Sequence, residues 1–105
     1  MKFGVLSVAF AALLACQAEA QGNCGTFQQV AGMLFQKYGE TPVETRTETY
    51  YERASVFIFS ANAETGSWTF LVTDGYQMCI LSEGEDYHDF DFHAAVDELI
   101  GVENA

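Results

Sequence analysis

Carboxylate and imidazole side chains gather near the end of the chain, in the segment SEGEDYHDFDFH. Oxygen ligands at such close spacing suit calcium, so the segment suggests a weak divalent-cation site. Its candidate ligands are Glu85, Asp86, His88, Asp89 and Asp91. Their order does not match the calcium loop of an EF-hand, and the two histidines lack the HExxH spacing of a zinc site. Solvated carboxylates and a helix cap explain most of the segment without a metal.

The first twenty residues have the order of a secretory signal peptide. Lys2 supplies the positive head, Phe3 to Cys16 form the apolar middle, and Ala18-Glu19-Ala20 is an A-x-A cleavage site. The apolar run is shorter than the roughly 20 residues that span a bilayer. We therefore expect a signal peptide over 1–20, a single domain over 21–105, and a periplasmic or secreted protein.

A second processing signal overlaps the first. Leu13-Leu14-Ala15-Cys16 is similar to a bacterial lipobox, whose cysteine would carry a lipid and anchor the protein to the membrane. Cleavage after Ala20 is the favoured interpretation, and membrane association is expected only if Cys16 is lipidated. Under either interpretation Cys16 is lost as a free thiol.

The two remaining cysteines, Cys24 and Cys79, are expected to form one disulfide, because an exported protein meets an oxidising compartment. Neither cysteine lies in a C-x-x-C pair, so a thiol-exchange enzyme is a poor interpretation. The sequence also has no nucleophile elbow or other local catalytic signature. We therefore predict no enzyme and no cofactor, and keep a small enzyme of unknown class as an alternative.

A hairpin should place Cys79 in a sheet. Two strand-like runs, Trp68–Thr73 and Tyr76–Leu81, flank Asp74-Gly75, a strong signal for a two-residue turn. That turn would pair Thr73 with Tyr76 and put Cys79 on the face where helices pack. The opposite face would be exposed and could serve as an interface; it carries Leu71, Tyr76, Met78 and Ile80.

The segment after Cys24 predicts an amphipathic helix. In CGTFQQVAGMLFQKYGE the apolar residues recur every three or four positions. Thr26 and Gln29 fit a capping box, and Gly39 fits a C-terminal stop. Cys24 would lie just before the first turn, so its bond to Cys79 would pin this helix to the sheet.

The other elements complete an α+β fold. Thr45–Tyr51 and Ser55–Ser60 read as strands. A second helix, capped by Asp89 or Asp91, should end at Gly101. The expected architecture is an N-terminal helix, a four-stranded antiparallel meander and a C-terminal helix, with one disulfide and both helices on one face.

Short stretches of the sequence carry a resemblance. A cysteine opening the mature chain, then LFQKYGE, ETGSWTFLVT and DGYQMCIL, resembles a group of small exported bacterial proteins with a Cys…TGxWT…Cys pattern and no known activity. The resemblance covers residues 24 to 84. It implies a periplasmic protein with one disulfide.

Charge restricts the partners. The chain has four basic and fifteen acidic residues, for a net charge of −11. Removing the signal peptide takes away Lys2 and Glu19, and the net charge stays at −11. Nucleic acid and anionic lipid are disfavoured, because both need a basic surface. The expected function is a disulfide-stapled binding module that engages or inhibits a basic envelope protein; the alternative is a weak divalent-cation binder.

Overall fold

The computed structural model describes residues 23–104, and the predicted signal peptide with Cys16 lies outside them. The elements confirm an α+β fold. The strands are β1 (Cys24–Thr26), β2 (Thr41–Tyr50), β3 (Arg53–Ala61), β4 (Trp68–Thr73) and β5 (Gln77–Gly84), and the helices are α1 (Phe27–Tyr38) and α2 (Phe92–Asn104). A 3-10 turn, Tyr87–Asp89, precedes α2.

The sheet has five antiparallel strands in the order β1-β5-β4-β3-β2. The predicted count of four is therefore wrong for the described part of the chain, and so is the prediction that the domain opens with a helix. The additional strand is β1, in which Cys24 opposes Cys79 and Thr26 opposes Gln77 on β5. A three-residue strand has no hydrophobic periodicity, which is why the sequence pattern missed it.

Local sequence explains the limits of α1. The Thr26 hydroxyl accepts a hydrogen bond from the Gln29 N–H, and the Gln29 side chain accepts one from the Thr26 N–H, so the predicted capping box is confirmed. Gly39 takes a left-handed conformation with φ of 64°, and its N–H donates to the Phe35 carbonyl. The predicted stop at Gly39 is therefore confirmed as well.

The helices lie on opposite faces of the sheet, contrary to the prediction. On one face, Phe92 and Val96 of α2 pack in a cluster that includes Phe57 and Phe70 of the sheet. On the other face, α1 packs against alternate residues of the same strands. The buried members of this second cluster are Val30, Leu34, Ile58, Leu71 and Met78.

The direct connection from β1 to α1 determines which face α1 covers. Thr26 is both the last residue of β1 and the N-cap of α1, so there is no linker in which the chain could cross to the other face. Gly25 opposes Met78, and a Cβ at Gly25 would lie 3.2 Å from Cγ2 of Val30. A glycine there lets α1 pack closely on the Met78 face, away from the disulfide.

The β4–β5 turn is longer than predicted. The structure opposes Thr73 to Met78, where the two-residue turn would have opposed it to Tyr76. The Asp74 carboxylate accepts hydrogen bonds from the N–H groups of Tyr76 and Gln77, at 3.0 Å each, and these bonds widen the turn. From Thr73 to Leu71 this shift of two residues leaves the side chains on their predicted faces, because strands alternate with a period of two. A bulge between Phe70 and Leu71 increases the shift to three residues, so that Phe70 opposes Ser82.

Side-chain hydrogen bonds hold α2 in place. The Asp91 carboxylate accepts a 3.1 Å hydrogen bond from the Ala94 N–H at the start of the helix, as predicted for a cap. The predicted stop at Gly101 is wrong, because α2 continues to Asn104. Arg46 of β2 forms an ion pair of 2.6 Å with Asp97, which ties α2 to the edge of the sheet. None of the helices within 23–104 has the length and apolar character needed to cross a membrane.

Candidate binding site

An acidic depression of about 430 Å³ lies between the end of α1 and the ends of β4 and β5. We call it the acidic pocket. Its carboxylates are Glu40, Glu83 and Glu85. The remaining lining residues are Tyr38, Ser67, Trp68, Thr69 and Gly84.

The end of α1 places Glu40 in the wall of this pocket, where it also borders a small apolar cavity beneath the helix. The left-handed Gly39 reverses the chain, and the Glu40 N–H then donates a 3.1 Å hydrogen bond back to the Leu34 carbonyl. This turn folds Glu40 beneath the helix, where the residue is only 4% exposed. A buried acidic residue is uncommon unless it is paired, so its partners matter.

Among the described residues, the Glu40 carboxylate has one hydrogen-bond donor and no counter-charge. Its Oε1 accepts a 2.7 Å hydrogen bond from the hydroxyl of Thr69, which is itself buried. Its Oε2 accepts none from the part of the chain that the structure describes. No lysine, arginine or histidine within that part forms an ion pair with Glu40. The carboxylate therefore presents a free acceptor oxygen.

Strand register brings the second carboxylate to the same site. Glu83 opposes Thr69 across the β4–β5 ladder, so its side chain emerges on the face of the sheet that holds the Glu40 carboxylate. Both Glu83 and Glu85 are exposed. The resulting set is one buried carboxylate with two at the rim, which favours a cation.

Two glycines allow the strand carrying these carboxylates to approach its neighbours. A Cβ at Gly84 would lie 2.6 Å from atoms of the Trp68 indole ring, so Trp68 packs directly over the backbone there. Gly66 has a φ of 86°, and a Cβ on it would lie 2.6 Å from the Glu85 carbonyl oxygen. Only glycine fits at these contacts, which fix the acidic end of β5 against β4 and its preceding loop.

Asn62 links the mouth of the pocket to α1. Its side-chain amide donates a 3.0 Å hydrogen bond to the Tyr38 carbonyl at the end of the helix. Its side-chain oxygen accepts hydrogen bonds from the N–H groups of Glu64 and Thr65, which shape the β3–β4 loop. One residue thus positions both the helix end and the loop that border the pocket.

Among the described residues, the two arginines form ion pairs away from the acidic pocket, and Lys37 does not line it. Arg46 is bound by Glu48 and Asp97, and the hydrogen bond that it donates to the Glu48 carboxylate contributes most to raising the pKa of the Arg46 guanidinium above its usual value. Arg53 pairs with Asp74 at 2.8 Å. Lys37 lies 5.7 Å from the centroid of the Tyr38 ring, without an ion pair.

The predicted disulfide between Cys24 and Cys79 is confirmed, with sulfurs 2.04 Å apart. It joins directly opposed residues of two neighbouring strands, β1 and β5. Cys79 also opposes Val72, which packs with the α2 cluster, so the bridge lies on the face opposite α1. The bridge therefore fixes β1 to the sheet, while α1 is held both by its direct connection to β1 and by its packing on the other face.

The predicted exposed interface is not an exposed surface. Leu71 and Met78 are 1% and 2% exposed, because α1 covers them. Ile80 is partly buried against the same cluster. Tyr76 is 86% exposed, but it lies in the β4–β5 turn. The expected exposure was wrong because both faces of this hairpin are apolar, and alternation alone does not show that a helix covers each of them.

The predicted cation ligands do not converge. Within the described residues, no group of three or more histidine, cysteine, aspartate or glutamate side chains is placed to hold a metal ion. Asp86 accepts hydrogen bonds from the backbone of His88, and Asp91 caps α2, so two of the five serve as caps. Glu85 lines the acidic pocket, and Asp89 lies in the 3-10 turn.

Sequence reasoning missed Glu40, the central residue of the pocket. Its only local signal is its place directly after Gly39, since a residue following a left-handed cap is turned back under the helix. Its contact with Thr69 joins positions 29 residues apart, which no local pattern encodes.

We compared the chain with protein-family models, curated proteins and solved structures, and none of the three comparisons gave a match.

Proposed function

We propose that the protein is an exported, disulfide-stapled binding module that engages a basic protein of the cell envelope through the acidic pocket. The observation that carries this proposal is Glu40, a buried carboxylate that forms no ion pair within residues 23–104 and lines a pocket together with the exposed Glu83 and Glu85. Buried charges in proteins are normally paired, so an external cation is the natural partner.

The charge of the whole chain supports the same partner. A net charge of −11 steers basic molecules towards the protein and repels nucleic acid and anionic lipid. The interface proposed from the sequence, on Leu71, Tyr76, Met78 and Ile80, is replaced by the acidic pocket because α1 covers most of it. The disulfide is compatible with an oxidising compartment.

Binding can be tested with a defined basic probe. We expect a decamer peptide of alternating arginine and glycine to bind the mature protein with one saturable site at 0.15 M salt. At this salt concentration, charges more than about 8 Å apart are largely screened, so a merely diffuse attraction becomes weak. A decamer of serine and glycine is the neutral control. Absence of saturable binding of the basic peptide at 0.15 M salt would contradict the proposal.

Export can be tested by the intact mass of the protein purified from its native envelope. Cleavage after Ala20 gives a mature chain that begins at Gln21. A diacyl or triacyl mass on Cys16 would instead show a lipid-anchored module, with the same pocket at the membrane surface. A mass that includes Lys2 and the apolar run would contradict export.

A further inference from the structure

We propose that the acidic pocket receives the charged end of a single lysine or arginine side chain, with the Glu40 carboxylate as its buried counter-charge. The inference rests on the proposed function and specifies its recognition chemistry. A partner with only diffuse positive charge would not need a buried acceptor.

Glu40 is buried and accepts a hydrogen bond through one of its two carboxylate oxygens, within the described residues. Its Oε1 is bound by the Thr69 hydroxyl, while the described residues leave its Oε2 without a hydrogen bond. Leaving a buried acceptor unpaired is costly, and leaving a buried charge unpaired is more so. The cost is removed when an N–H donor that carries positive charge reaches Oε2 from the pocket.

The lining of the acidic pocket combines carboxylates with aromatic side chains. Glu83 and Glu85 stand at the rim, where they can attract a cation before it reaches Glu40. The methylene stem of a basic side chain needs apolar contact, and Tyr38 and Trp68 line the same pocket. The arrangement therefore suits an alkyl chain that ends in a cation.

The acidic pocket has a suitable size and position for one side chain. A volume of about 430 Å³ is in the range of small-ligand sites, and it accommodates one side chain readily. The pocket lies at the end of the sheet, beyond the three residues of β1, so β1 does not pair with Glu83 or Gly84. A partner's side chain can approach here without displacing an element of the fold.

Small cations test the inference directly. We would titrate the mature protein with n-propylguanidinium, which represents arginine, and n-butylammonium, which represents lysine, and follow backbone amide shifts by NMR. At least one cation should shift the amides of Glu40, Thr69 and Glu83, while neutral n-propylurea should not. Preference for one cation identifies the side chain. No shift at these amides with either cation would overturn the inference.

Variants separate charge from structure. Glu40→Gln keeps an acceptor for Thr69 and removes the charge, so we expect at least about a tenfold weaker Kd for the small cation. Glu98→Gln on α2 makes the same change in net charge outside the pocket, and should alter Kd less than about twofold. Equal binding by both variants would show that Glu40 has only a structural role.

The two proposals fail in different ways. If the basic decamer binds at 0.15 M salt but neither small cation shifts the pocket amides, the binding module stands and the side-chain receptor is wrong. If the decamer also fails to bind, the proposed function is wrong. Both outcomes are read from the same folded protein, and its amide spectrum reports that it is folded.

Discussion

The hydroxyl of Thr69 donates a 2.7 Å hydrogen bond to the carboxylate of Glu40, in a contact where both residues are buried. This bond connects Glu40, two residues after the end of α1, to β4 of the sheet. Within the described residues, the second oxygen of the Glu40 carboxylate accepts no hydrogen bond, and Glu40 lines the acidic pocket. The same contact therefore fixes the end of α1 and places a carboxylate in the wall of the pocket.

The first prediction concerns the Thr69 hydroxyl. Thr69→Val is nearly isosteric but leaves the Glu40 carboxylate without its donor, so we expect a loss of about 1–3 kcal/mol in the free energy of unfolding. Urea denaturation measures it. The matched control is Thr47→Val, at an exposed position of β2, for which we expect a change within about 0.5 kcal/mol. Equal effects of the two substitutions would contradict a stabilising contact.

The second prediction concerns the turn that aims Glu40. Gly39→Ala should destabilise the protein by more than about 1 kcal/mol, because φ is 64° and the new Cβ would lie 2.7 Å from the Asn62 amide nitrogen. Gly32→Ala, inside α1 with open space around it, should stabilise by about 0.5–1 kcal/mol. Thermal or urea unfolding compares them, and the opposite order of stability would refute the account of this turn.

The third prediction concerns the disulfide. The double variant Cys24→Ala, Cys79→Ala should lose about 4 kcal/mol of stability in the chain-entropy model, since the bridge spans a sequence separation of 55. β1 has only three residues and leads directly into α1. In the double variant we therefore expect the backbone amides of β1 and of the first turn of α1 to show the largest increase in hydrogen-exchange rate. Unchanged unfolding on reduction would show that the bridge contributes nothing.

The fourth prediction concerns acid. Hydrogen bonds from the Gln77 and Tyr76 N–H groups, and then the charge of Arg53, lower the pKa of Asp74. A lowered folded-state pKa gives stability that is present above the unfolded value of 3.8 and is lost as pH falls through the folded value. The stability difference between the native chain and Asp74→Asn should therefore shrink below about pH 4.

Arg53→Met tests the order of causes at Asp74. It removes the 2.8 Å ion pair and leaves the two backbone hydrogen bonds, so most of the acid dependence should remain. Unfolding curves measured from pH 2 to 7 would decide the point. An acid dependence that disappears in Arg53→Met would make the ion pair, and not the backbone, the main cause.

Much of the fold was predictable because its signals are local. The capping box of Thr26 and Gln29 and the stop at Gly39 are each read from a few neighbouring residues, and both are confirmed. For the second helix the sequence left Asp89 and Asp91 as candidate caps, and the structure shows Asp91 in that role. The Cys24–Cys79 bridge followed from counting the cysteines of a chain that we expected to be exported. These features depend on backbone hydrogen bonds and covalent chemistry, which short segments specify.

The arrangement of the layers was not predictable, because it depends on the hairpin's two similar faces. In β4, the sequence WTFLVT is buried at every position but Val72, so alternation cannot say which face a helix covers. Gly25 and the lack of a linker between β1 and α1 determine which face of the sheet α1 covers. Because α1 covers that face, Leu71 and Met78 are buried, and the acidic pocket is the candidate site.

The most direct test of the central claim is the Kd of the alternating arginine–glycine decamer at 0.15 M salt, measured by calorimetry for Glu40→Gln and Glu98→Gln. Both variants lose one negative charge, but only the first loses the buried carboxylate of the acidic pocket. The account predicts at least about tenfold weaker binding for Glu40→Gln and less than about twofold for Glu98→Gln. Equal Kd values for the two variants would contradict it.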